Sequence, residues 1–166
     1  NGSFMYTNSE LWSSGSLVLD SNDNLFLQTS VANQNGHSWF GNNSIAGSSG
    51  VLAKMDSSNG NWIWAKSTTY AAIQSLEVDS NDNIWSSYYT NSGAFLEKYN
   101  STGDLLQTYS IGSINVWDFT IDHSGDLLLT GVFTSSFTCN NNGSSQTYTV
   151  SNYSPFVMKL DTQGNC

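Results

Sequence analysis

The sequence predicts an all-β fold, an array of about three four-stranded antiparallel units, and three observations carry that reading. Sustained 3.6-residue apolar periodicity is missing, while short runs rich in β-branched and aromatic residues recur between clusters of Asn, Asp, Ser and Gly. A strand–turn–strand phrase repeats: Leu17-Val18-Leu19-Asp20-Ser21-Asn22-Asp23-Asn24-Leu25-Phe26, then Leu76-Glu77-Val78-Asp79-Ser80-Asn81-Asp82-Asn83-Ile84-Trp85, and more loosely Phe119-Thr120-Ile121-Asp122-His123-Ser124-Gly125-Asp126-Leu127-Leu128. A second phrase follows each copy: Val51-Leu52-Ala53-Lys54-Met55-Asp56, Phe95-Leu96-Glu97-Lys98-Tyr99-Asn100 and Phe156-Val157-Met158-Lys159-Leu160-Asp161, each entering a Gly-containing turn. A recurring two-strand unit cannot bury its apolar face alone, so its copies must stack.

In chain order, residues 4–14 read as two N-terminal strands around a turn at Asn8-Ser9. The first unit, residues 16–69, has strands at Leu17–Leu19, Leu25–Ser30, Val51–Met55 and Trp62–Ala65, with a polar excursion from Asn33 to Gly50 between the second and third. The second, residues 75–111, is tighter, with strands at Leu76–Val78, Ile84–Tyr89, Ala94–Tyr99 and Leu105–Tyr109. The third, residues 117–166, has strands at Phe119–Ile121, Leu127–Phe133 and Phe156–Leu160. Its long excursion, Thr134–Ser154, contains a small hairpin of Phe137–Cys139 against Thr147–Val150, and its fourth strand would begin at Cys166.

Asp20 and Asp79 are 59 residues apart and Asp79 and Asp122 are 43 apart. A four-stranded antiparallel unit of about 40–50 residues has the size of a propeller blade. The expectation is therefore a single β-propeller-like domain over residues 1–166, its last blade completed by the N-terminal strand or by another subunit. The three lysine-bearing phrases, with Thr130-Gly131-Val132-Phe133 and the insertion carrying Phe137, resemble the bacterial SBBP β-propeller repeat over nearly the whole chain. The resemblance implies a secreted or surface-attached protein and assigns no activity.

Composition narrows the function classes. The chain has 166 residues with a formal net charge of −9, four Lys and no Arg. Nothing here neutralises a run of phosphates, so nucleic acid is not an expected partner, nor is an anionic membrane surface. No run of 18 apolar residues offers a membrane span. Asn1, without an initiating Met or a signal-like segment after it, reads as a mature or excised end. Cys139 and Cys166 suit one disulfide in an oxidising compartment, with two unpaired thiols as the alternative. Glycosylation sequons at Asn1, Asn42, Asn100, Asn142 and Asn152 fit an extracellular or cell-surface glycoprotein.

Catalytic and metal motifs fail one by one. The Asp-Ser-Asn-Asp-Asn turns open like a calcium loop, but the positions needing Gly and a terminal acid hold Leu25 and Val31, then Ile84 and Thr90. They read as hairpin turns in which Asp and Asn bond nearby amides. No cofactor is expected, and calcium is the one ion the acidic turns would attract. His37 and His123 lack partners at zinc spacing. No nucleophile elbow, phosphate loop or dinucleotide fingerprint occurs. Three of the four lysines, Lys54, Lys98 and Lys159, share one repeat position. They are expected to be structural, each paired with Asp20, Asp79 or Asp122 of a neighbouring blade. Trp62, Trp64, Trp85 and Trp117 are expected between blades. Trp39, Tyr88 and Tyr89 are the candidate contacts for a glycan or surface protein. The reading is a non-enzymatic structural or adhesive protein that self-associates, as an oligomer or filament. The alternatives are a carbohydrate- or protein-binding propeller module and a fragment of a larger propeller.

Overall fold

The computed structural model describes residues 15–70, 73–141 and 143–166. The expected strands at 4–14 and the sequon at Asn142 lie outside these residues. The described residues form strands and turns with no helix. The first sheet runs β1 (Ser16–Leu19), β2 (Leu25–Phe40), β3 (Asn43–Asp56), β4 (Asn61–Thr68), each strand antiparallel to the next in sequence. The second repeats that order with β5 (Ile73–Val78), β6 (Ile84–Thr90), β7 (Gly93–Tyr99) and β8 (Leu105–Gly112). The third contains β9 (Ile114–Ile121), β10 (Leu127–Phe133) and β13 (Ser154–Leu160), ordered β13-β10-β9. A separate hairpin of β11 (Ser136–Asn141) and β12 (Ser144–Thr149) is inserted between β10 and β13. The chain divides into two compact units, Asn1–Ile73 and Gln74–Cys166.

One turn builds most of these hairpins. At Asp20, Asp79, Asn100, Asp122 and Asp161 the first residue's carboxyl or amide oxygen accepts the backbone N–H two and four positions on, at 2.8–3.1 Å. Its carbonyl accepts the N–H three positions on, and its own N–H donates to the carbonyl four positions on. The fourth residue must therefore be left-handed. Asp23 and Asp82 sit there at φ 61° and 58°, and Gly103, Gly125 and Gly164 at 78°, 85° and 86°. Asp and Gly are residues that tolerate this conformation. The turn after Asp56 is the exception, with its left-handed Gly60 one place later and a bulge between Lys54 and Met55.

The expected excursion at Asn33–Gly50 is instead strand, since β2 and β3 run on as one long hairpin to Gly41. Beyond a register shift between Ala32 and His37, Phe40 and Ile45 are buried with Val31, Val51 and Ala53. The Phe40 ring meets Trp62 of β4 edge-on at 5.1 Å, so the tip folds back over its own sheet. The sequence hides this because the inward positions include polar Ser38, fully buried opposite Ile45. Register puts Leu17, Leu19, Leu27 and Ala53 on this face and Val18, Phe26, Lys54 and Trp64 on the other.

In the second unit the two sheets pack face to face. Trp85, Ala94 and Leu96 join Phe119, Leu127, Leu129, Met158 and Leu160 in one core. Trp85 stacks on Tyr109 at 5.6 Å, and the Tyr109 hydroxyl donates to the Thr162 carbonyl at 2.9 Å. Phe137 of the inserted hairpin completes this core, with its ring near Phe133 and parallel to Phe156.

The turn makes a prediction at Gly125, where an added Cβ meets nothing closer than Thr162 Cγ2 at 3.8 Å, so only the backbone opposes it. Gly125→Ala should destabilise by about 1–2 kcal/mol, and Gly125→Asn by much less, in urea unfolding. Equal losses for both would show that the left-handed turn is not what constrains the position.

Candidate functional site

The repeated lysine meets the repeated turn within each sheet. Lys54 Nζ lies 2.8 Å from Asp20 Oδ2, Lys98 Nζ 3.1 Å from Asp79 Oδ2, and Lys159 Nζ 2.8 Å from Asp122 Oδ2. These are the expected partners, but each belongs to the same sheet as its lysine. That corrects the pairing across neighbouring units. The reason is register. Lys54 faces Phe26 and Lys98 faces Trp85 on the adjoining strand, so each ammonium passes over that ring, at 4.8 and 4.7 Å from its centroid, to reach the turn. Lys159 instead faces Leu128. Asp126 replaces the amide of Asn24 and Asn83 beside the carboxylate, and Lys159 bridges Asp122 and Asp126, the latter at 2.9 Å.

Burial grades these pairs. Side-chain exposure of Lys and Asp is 13% and 1% in the first sheet, 22% and 10% in the second, 54% and 28% in the third. Burial alone would raise the Asp20 carboxyl. Hydrogen bonds from Lys54, from the Asn24 side chain and from the Asn24 and Asn22 amides outweigh it and hold the group at about 2. Asp79 is lowered in the same way, burial being opposed by Asn83, Lys98 and the Trp85 indole. Asp122 is lowered chiefly by Lys159.

A buried polar chain occupies the second sheet. Glu97, 1% exposed, accepts from the Tyr99 hydroxyl, which lies 3.2 Å from the Tyr88 hydroxyl. Burial, then Tyr88 and Glu97, push the Tyr99 phenol up. Tyr88 is therefore an internal residue with 0% exposure and offers no face to a ligand, whereas Tyr89 is 41% exposed. Trp39, on the outward side of the β2–β3 tip, is 56% exposed, its ring 6.2 Å from that of His37. Trp85 is buried as expected, but Trp117 is exposed. His123 is exposed in its turn. Asn42 and Asn152 are exposed, while the Asn100 amide is committed to Asp104 and to its own turn. No cluster of three or more His, Cys, Asp or Glu able to hold a metal occurs among the described residues.

The third sheet carries the open surface. β3 and β7 are flanked on both sides by strands, whereas β13 pairs only with β10 among the described residues. Along its outer side lies an open groove of about 960 Å³, walled by β13 and the β11–β12 hairpin. Phe137, Tyr148, Val150 and Phe156 supply its apolar lining. Cys139 and Cys166 form a disulfide with Cα atoms 5.8 Å apart, and the Cys166 amide donates to the Asn140 carbonyl at 3.0 Å. These contacts tie the turn after β13 to the hairpin. The sequence indicated the hairpin but not the groove. A run such as Ser144–Thr149, exposed at every position, has no apolar pattern to mark it.

A search of protein-family models finds no match to this chain, and no curated protein matches it.

The graded pairs predict graded losses. Lys54→Met strands a buried carboxylate and should cost about 3 kcal/mol. Lys98→Met should cost less, and Lys159→Met least, by denaturant titration. Asp20 also sets an acid limb. Its folded value, about 2, lies below its ordinary 3.8, so its stabilisation is complete above about pH 5 and is lost as pH falls through that interval. The loss should be on the order of 1–2 kcal/mol, allowing for solvent screening at the sheet end. It should vanish in Asp20→Asn.

Proposed function

We propose that this chain is a non-enzymatic structural or adhesive protein of the cell exterior, a β-propeller-like array that joins further copies of itself by adding a strand to its third sheet. The observation that carries the reading is the outer edge of β13, which has no strand partner among the described residues. The turn at Asp161 has the same hydrogen bonds as the turns that lead into β2, β6, β8 and β10. Unpaired N–H and C=O groups beside an apolar groove are what an extended segment from another chain recognises. The blade interpretation is supported by three consecutive antiparallel sheets of matching register, and by face-to-face packing of the second sheet on the third. The Cys139–Cys166 disulfide suits an oxidising, extracellular setting.

A second reading, a glycan- or protein-binding surface, is favoured by Trp39, whose exposed ring stands beside His37 on a hairpin tip. A glycan array that retains equal binding after Trp39→Ala would remove it.

The strand donor read from the sequence is Leu11–Ser14, the second of the two N-terminal strands within residues 4–14. The full chain should form concentration-dependent oligomers in sedimentation velocity, and a chain of residues 15–166 should shift to smaller species. A peptide of residues 4–14 added to the shortened chain should then protect the β13 amides from hydrogen exchange. A single monomeric species at every concentration, with β13 protection indifferent to residues 1–14, would overturn the proposal.

A further inference from the structure

The third sheet also has an open face, which adjoins its open edge. Two residues before each repeated lysine stands a large aliphatic side chain: Leu52, Leu96 and Val157. Leu52 is 0% exposed, Leu96 1% and Val157 80%. In the second unit the structure shows what covers this position. Leu96 and Trp85, on the lysine-bearing face of the second sheet, pack into the opposite face of the third, against residues such as Phe119 and Leu129. The packing is directional, with the lysine face of one sheet meeting the lysine-free face of the next. On the third sheet the lysine face holds Leu128, Thr130, Val157 and Lys159, and Thr130, Val157 and Lys159 are exposed. Its Lys159–Asp122–Asp126 cluster is solvated, where the equivalent Lys98–Asp79 pair is mostly covered.

We propose that this face docks a second copy of the same chain, through the lysine-free face of that copy's first sheet. That face carries the complementary feature. Leu17 and Leu19 lie on it by register, 60% and 51% exposed, at the margin that the folded-back β2–β3 tip leaves uncovered. A lysine face meeting a lysine-free face between copies repeats the direction already used between the second and third sheets. The two surfaces differ, so the contact is head-to-tail. It leaves one face of each kind free on any dimer, and it grows into open arrays unless a rotation closes the ring. This inference rests on the reading that the chain assembles with itself, and it adds the margin at Leu17 and Leu19, which strand addition does not use.

The test uses exposed positions, so folding is spared. Leu17→Asp/Leu19→Asp removes one surface and Val157→Lys the other. Sedimentation velocity on the full-length chain should show large assemblies for the unmodified protein and at least a tenfold weaker association for either variant alone. An equimolar mixture of the two variants should regain association that neither variant shows alone, because each retains the surface the other has lost. Near-ultraviolet circular dichroism should match the unmodified protein in both. Oligomers that persist in Leu17→Asp/Leu19→Asp but vanish on removing residues 1–14 would overturn this contact and leave strand addition standing. A monomer at every concentration would overturn both.

Discussion

The structure depends on one local interaction: a side-chain oxygen that accepts two backbone amides of its own turn. At Asp20, Asp79, Asn100, Asp122 and Asp161 this leaves little freedom in how the chain reverses, because two amides must converge on one atom while the fourth residue turns left-handed. Strand register then follows from the turn. A one-residue slip would send Phe26 or Leu129 to the wrong face of its sheet. In the turns between first and second strands, the acceptor is a carboxylate held at the end of a sheet face. Its charge calls for a cation, and the lysine of the third strand reaches it from within the same sheet. The turn, the sheet and the ion pair therefore specify one another, and that is why all three recur together.

The same atoms carry different weight according to what covers them. Lys54 and Asp20 are withdrawn from water, so either partner without the other would leave a buried charge. Lys159 meets two acids at short distances, yet all three are solvated, and pairs of that kind add little. Sequence conservation within the repeat therefore does not imply equal energy. The third copy departs from the others where the difference matters least to its own sheet: Leu128 replaces a ring under the lysine, and Asp126 replaces an amide beside the carboxylate.

Much of this was legible in the sequence because the repeat states it three times. The strand order, the hairpin turns, the β11–β12 hairpin and the identity of the Lys–Asp partners could be read from spacing and alternation. Three things could not. The sheet to which each partner belongs depends on which face a side chain takes, and phrases that share every residue type do not reveal it. The strand nature of residues 33–50 was obscured by polar composition. The alternation survives there only as Ser38, Phe40 and Ile45 inward against Trp39 and Ser44 outward. Tyr88 and Tyr89 are adjacent and chemically identical, and only the pleat decides that one hydroxyl joins Tyr99 and Glu97 inside while the other faces solvent.

The two inserted hairpins occupy equivalent places in the first and third sheets and cover them differently. Both leave the chain between the second and third strands of a sheet, and both direct a phenylalanine to the lysine-free face: Phe40 over Val51 and Ala53, Phe137 beside Phe133 and Phe156. On the first sheet the insertion shields the lysine-free face, apart from the margin at Leu17 and Leu19. On the third sheet that face is already covered by the second sheet, so its hairpin fills a corner of an existing core. Each insertion therefore brings its phenylalanine to a lysine-free face, while the lysine face of the third sheet keeps Val157 in water.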